Sequence, residues 1–133
     1  MTKTILIVED EILVAVDIER ILVDAGYEIF GIAADRETAL QQRGEADIAF
    51  VDINLRDGLT GPAIACDLAD RHGTKIIYLT ANPAQIDRVA ATAIGYIVKP
   101  FSDSAIRAAA DLAANGRNAN DPVHAEITLF AAV

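Results

Sequence analysis

The sequence predicts an α/β fold: a doubly wound, five-stranded parallel sheet with helices on both faces. Short apolar runs rich in β-branched and aromatic residues recur along the chain, as strands buried on both faces require. Segments of helical period lie between them, and capping residues and glycines mark the joins. This alternation favours parallel strands linked by right-handed crossovers over separate helical and sheet units.

The first strand is read in "TILIV", residues 4 to 8. Over residues 11 to 25, Val14, Ile18, Ile21, Leu22 and Ala25 form an apolar stripe, Asp17, Arg20 and Asp24 gather on another face, and Gly26 ends the helix. Val16 and Val23 interrupt its polar side. The weaker run "YEIFGIAA", residues 27 to 34, is expected at a sheet edge. A helix over 36 to 43 follows, capped by Asp35 and stopped by Gly44, and "DIAFV", residues 47 to 51, makes the third strand. Next come a helix over 61 to 72 stopped by Gly73, a strand "IIYL" over 76 to 79, and a helix over 83 to 92 capped by Asn82. "YIV", residues 96 to 98, and an Ala-rich helix over 103 to 115, between Ser102 and Gly116, complete the pattern. One domain is expected over residues 1 to 116. Residues 117 to 133 then form a C-terminal tail with no output domain, whose apolar end "ITLFAAV" is expected to dock on this or another subunit.

Composition narrows the function classes. A chain of 133 residues, 53% apolar, has enough interior for one stable domain. No signal peptide or long apolar span is read, so a cytoplasmic protein away from the membrane is expected. Cys66 is the one cysteine, which fits a reducing compartment and a small buried side chain. A net charge of −9 with scattered basic residues argues against direct nucleic-acid binding, and favours cations and basic surfaces as ligands.

The acids are not placed at random. Glu9 and Asp10 follow the first strand, Asp52 ends the third, Thr80 the fourth, and Lys99 the fifth. In a parallel sheet these ends share one edge, where open α/β sheets bind ligands; with the flavodoxin-like strand order 2-1-3-4-5, Glu9, Asp10 and Asp52 converge. Carboxylates so grouped either retain a proton or hold a cation, and a hard divalent ion such as Mg²⁺, with phosphate as its companion, suits them. Lys99 and Thr80 are suited to phosphoryl oxygens, and an aspartate can itself attack phosphorus. Each residue alone is as well explained by a turn, a cap or a solvated charge; their joint placement on one edge is not.

The motifs "ILIVEDE", "VDINLRDGLTG", "YLTAN" and "GYIVKPF", in this order over residues 5 to 101, resemble those of two-component response-regulator receiver domains. The resemblance implies that Asp52 is the phosphoacceptor, taking its phosphoryl group from a sensor histidine kinase or histidine phosphotransfer protein. It implies Mg²⁺ held by Asp10, Asp52, the backbone carbonyl of Asn54 and, through water, Glu9, with Thr80 and Lys99 on the phosphoryl oxygens. It further implies a cis peptide between Lys99 and Pro100, a switch in which Tyr96 turns inward as Thr80 moves, and tuning of phosphoryl lifetime by Asn54 and Asn82. Ala81 is small enough to leave room beside Asp52.

One departure is marked. Between Thr80 and Lys99 the chain is a few residues shorter than is usual in the family and lacks the paired Gly-Ala before the strand, so the helix over 83 to 92 is expected to be short or irregular. The family commonly signals through that region, so its usual dimer is not assumed, although a homodimer is admitted. The leading expectation is a stand-alone phosphoacceptor module acting on a downstream protein, not an enzyme beyond its own phosphorylation and dephosphorylation. A degenerate receiver acting by binding alone is one alternative. An aspartyl-nucleophile phosphatase of the haloacid-dehalogenase type is the other; such enzymes carry a second Asp two residues after the nucleophile, where this chain has Asn54.

Overall fold

The computed structural model describes residues 2–41, 44–117 and 120–130. Six strands form one sheet in the order β2-β1-β3-β4-β5-β6, with β1 Thr4–Val8, β2 Glu28–Ala33, β3 Ile48–Asp52, β4 Lys75–Thr80, β5 Ala93–Val98 and β6 Ile127–Leu129. The first five are parallel, as expected, and β2 lies at an edge. Side-chain alternation sorts the core in two. Ile5, Ile7, Phe50, Ile77 and Leu79 pack under α1 (Ile12–Asp24) and α4 (Asp103–Asn115), which lie side by side. Leu6, Val8, Val51, Ile76 and Tyr78 pack under α2 (Arg36–Leu40) and α3 (Gly61–His72).

The local signals work as read. Asp35 accepts from Thr38 N at 2.9 Å and caps α2, Ser102 accepts from Ala105 N at 3.2 Å and caps α4, and Gly73 closes α3 in the left-handed region. The α2 helix ends at Leu40, with positions 42 and 43 of the expected span outside the described residues.

The helix over residues 83 to 92, expected to be short or irregular, is reduced to a single 3₁₀ turn, Pro83–Gln85, capped by Asn82. Ala93 pairs with Ile76 near the start of β4, so the connection must return along the six-residue length of that strand. That length is roughly 20 Å, whereas helix over those positions would reach roughly 15 Å. Irregular chain follows the turn, and the fully buried Tyr78 anchors it: its hydroxyl accepts from Ala90 N at 2.9 Å and donates to Arg88 O at 3.4 Å. Tyr78→Phe should leave the buried Ala90 N–H unpaired and cost about 1–3 kcal/mol, read as a lower urea midpoint.

The tail docks on its own sheet. Residues Ile127–Leu129 add a sixth strand antiparallel to β5, an element absent from the five-stranded expectation. Positions 118, 119 and 131 to 133 of the expected tail lie outside the described residues, as does position 1.

Candidate functional site

Five strand ends arrive on one edge of the parallel sheet. Asp52 is paired in register with Leu79, Thr80 with Val98, and Lys99 N donates to Thr80 O at 2.9 Å, so the residues following β1, β3, β4 and β5 are neighbours. Glu9 and Asp52 are buried, 2% and 5% exposed, and one ligand oxygen from each lies within 4.8 Å of one from the more open Asp10. Lys99 closes the cluster: Nζ donates to Asp52 Oδ2 at 2.6 Å and to Glu9 Oε2 at 3.0 Å. The other Asp52 oxygen accepts from Asn54 N at 2.9 Å, and Glu9 Oε1 from Glu11 N at 3.2 Å. The Lys99–Pro100 bond is cis.

Three carboxylates against one ammonium leave an excess of negative charge. Burial, reinforced by Asp52, pushes the Glu9 carboxyl up to about 8, while Lys99 works against the rise. For Lys99, burial favours the neutral amine, but its bonds to Asp52 and Glu9 outweigh that and hold it above its ordinary value. A buried acid that keeps its proton beside two further carboxylates marks a place where a cation can take over the proton's role. The oxygen-only donor set fits a hard divalent ion.

Two expected participants take other partners. The Thr80 hydroxyl donates to Asn82 O at 3.0 Å and accepts from Asn82 N at 2.9 Å, closing on its own turn. Tyr96 is half-buried on β5, its ring against Phe130. Of the two expected tuning residues, Asn82 uses its side chain to cap the 3₁₀ turn through Ala84 N at 3.1 Å, and Asn54 donates to Gln85 Oε1 at 2.8 Å. Gln85 was not legible as a site neighbour, because only the contracted turn carries it there. Arg56 was missed too: its Nε donates to Asp35 Oδ2 at 2.8 Å, and the Thr38 N–H and hydroxyl, helped by Arg56, hold the Asp35 carboxyl down at about 2. The histidines lie elsewhere, His72 near Glu45 and His124 on Ser104.

Gly61, at the start of α3, fixes how closely that helix approaches the acceptor strand. A Cβ there would sit 2.1 Å from Asp52 O and 2.7 Å from Ile53 Cα, both backbone. Gly61→Ala should therefore cost about 1–3 kcal/mol, by urea denaturation, and shift the backbone that carries Asp52.

A family model for the response regulator receiver domain matches residues 5–111. The chain is 34% identical over 118 residues to the transcriptional regulatory protein PdtaR of Mycobacterium tuberculosis, covering 84% of this chain and 56% of that protein. It is 36% identical over 106 residues to the regulatory protein VanR of Enterococcus faecium, covering 76% of this chain and 45% of VanR. It thus spans about half the length of these curated relatives. Among solved structures, the receiver domain of the PhyR response regulator from Erythrobacter litoralis superposes with a TM-score of 0.78 at 28% identity, covering 92% of this chain and 96% of that one. The PhyR stress response regulator gives 0.71 at 31% identity, covering 89% of this chain and 48% of its own. Among the described residues no helix is long and apolar enough to cross a membrane.

Proposed function

This chain belongs to the response regulator receiver domain family, and from that premise we propose that Asp52 accepts a phosphoryl group from a phosphohistidine of a sensor histidine kinase or histidine phosphotransfer protein, with Mg²⁺, so switching contacts with a downstream protein. The observation that carries this reading is the buried Asp52 carboxylate on the ligand edge, 2.6 Å from Lys99 Nζ and clustered with two further carboxylates.

An Asp52 oxygen attacks phosphorus; the N–P bond breaks, and the imidazole nitrogen leaves with the electron pair and takes up a proton. Lys99 transfers its hydrogen bond from the Asp52 carboxylate to a phosphoryl oxygen, and Thr80 exchanges the Asn82 carbonyl for another. Asp10, Asp52, the Asn54 carbonyl and, through water, Glu9 would hold Mg²⁺, which when bound offsets negative charge on the carboxylates and the phosphoryl group. Hydrolysis reverses the modification: water attacks phosphorus, the P–O bond breaks, and the Asp52 carboxylate and phosphate separate. Asn54 and Asn82 flank that approach. Asn54 offers no proton to a leaving group, so a general phosphatase is disfavoured, and the chemistry proposed is confined to the chain's own phosphorylation and dephosphorylation.

The donor's approach has a surface to match. Ile12 and Leu13, at the start of α1, are 66% and 83% exposed, and a groove beside Lys99 is lined by Leu13, Val14, Pro100 and Phe101, with Glu11 and Asp17 also at its wall. Exposed apolar side chains around a buried acceptor suit an amphipathic helix presenting its phosphohistidine to Asp52. The test is intact mass after incubation with Mg²⁺ and acetyl phosphate. One phosphoryl group per chain is expected. An unmodified chain, under conditions that label a control receiver, would overturn the reading and favour phosphorylation-independent binding; multiple turnover of unrelated phosphate esters would favour an enzyme.

A further inference from the structure

We infer that the outer edge of β5, from Ile94 to Ile97, is a docking surface for an extended peptide strand carrying a carboxylate and, four residues on, a phenylalanine. The chain's own Glu126 to Phe130 fills it until a partner strand of the same chemistry displaces them. The backbone ladder pairs Ile97 with Ile127, Tyr96 with Thr128 and Gly95 with Leu129, and Phe130 N donates to Ile94 O at 3.1 Å. Each end is also read by side chains. Glu126 Oε1 accepts from Ser102 N at 3.0 Å and Oε2 from Ser102 Oγ at 2.6 Å, at the positive end of the thirteen-residue α4. The Phe130 ring meets Tyr78 edge-on at 79°, its centroid 6.0 Å away, and Tyr96 at 51° and 6.0 Å.

Gly95 makes the approach possible. A Cβ there would lie 2.2 Å from Thr128 O, and its three nearest atoms would all belong to β6. A strand that merely covered a sheet edge would need neither the acid at one end nor the aromatic at the other; a main-chain ladder with side chains read at set positions is how strands are recognised when added to a sheet. The resident is short: it has three strand residues, of which only Ile127 is buried. Its link to phosphorylation rests on the function proposed above. Phe130 leans on Tyr96, so a turn of that ring removes the support at one end of the resident strand.

The test uses the full chain, its Phe130→Ala, Glu126→Gln and Gly95→Ala variants, and a labelled peptide of sequence VHAEITLF. Phe130→Ala should speed amide exchange over residues 127 to 130 by about tenfold or more and bind the peptide about tenfold more tightly than the native chain, with β1 and β3 still protected. Glu126→Gln, which leaves the core untouched, should do the same to a smaller extent. Gly95→Ala should speed exchange equally yet bind no peptide, because its Cβ bars any strand. Failure of both Phe130→Ala and Glu126→Gln to gain peptide binding, or binding by Gly95→Ala as tight as theirs, would overturn the docking surface. Native chain whose single phosphoryl group is verified by intact mass should exchange the amides of residues 127 to 130 faster than unmodified chain, and equal exchange would overturn the link to Tyr96. A chain that takes no phosphoryl group counts against the function proposed above, while the variants still decide the docking surface.

Discussion

Asp52→Asn should abolish phosphoryl uptake from acetyl phosphate while leaving the fold intact. The replacement is isosteric, so its side-chain oxygen still accepts from Asn54 N, now 2.9 Å from Asp52 Oδ1, and Lys99 retains Glu9 at 3.0 Å. It also removes the Asp52 charge, which together with burial pushes the Glu9 carboxyl up. Lys99→Ala separates positioning from attack. The nucleophile remains, but a phosphoryl oxygen loses its ammonium, and the rate of modification should fall by about 10²-fold or more, the scale for losing one stabilising donor at a developing charge. Intact mass against time reads both. A phosphoryl group on Asp52→Asn would place the acceptor elsewhere, and an unchanged rate in Lys99→Ala would remove the lysine from the chemistry.

The second large effect is a pH-dependent stabilisation by Mg²⁺. In the folded metal-free chain the Glu9 carboxyl lies up at about 8, against about 4.5 when solvated. The folded state therefore holds this proton more tightly than the unfolded state. The stability that the protonated group contributes is complete below the lower value, and is lost as pH rises through the window towards the upper one. Metal-free chain should accordingly lose melting temperature across that window as far as this group is concerned, and Glu9→Gln should flatten the loss. Mg²⁺ competes with the proton for the same oxygens, so millimolar Mg²⁺ should raise the melting temperature more at about pH 8 than at about pH 6. Asp10→Ala should remove most of that rise. A rise that is independent of pH, or fully kept in Asp10→Ala, would detach the metal from this cluster.

The sheet and its ligand edge were legible because the signals involved are local. "TILIV" and "DIAFV" read as strands because their apolar positions are nearly continuous, and both prove to be central. Asp35, Asn82 and Ser102 read as caps because a short oxygen-bearing side chain can reach the next turn's N–H wherever the chain later goes. Glu9, Asp10, Asp52 and Lys99 could be grouped because parallel strands deliver their C-terminal ends to one edge whatever the helices do.

The failures are those of reach and partnership. Residues 83 to 92 carry enough helical pattern to suggest a helix, and the short spacing to Lys99 marks it as short or irregular, but the single turn and the ties to Tyr78 follow from the distance back along β4, which no local window holds. That same contraction sets Gln85 on Asn54. The structure also puts Phe130, thirty-four positions later, against the Tyr96 ring, a partner that no local window names.

By itself, then, the sequence determined the strand runs, the caps and the set of acidic, hydroxyl and lysine side chains at one edge, because each follows from neighbours along the chain or from the parallel topology they impose. Only the tertiary structure decided that the Lys99 ammonium sits between Asp52 and Glu9, that Thr80 closes on Asn82, and that Ile127–Leu129 becomes a sixth strand. Those outcomes depend on which groups satisfy one another after burial, and burial brings together positions that no local pattern links.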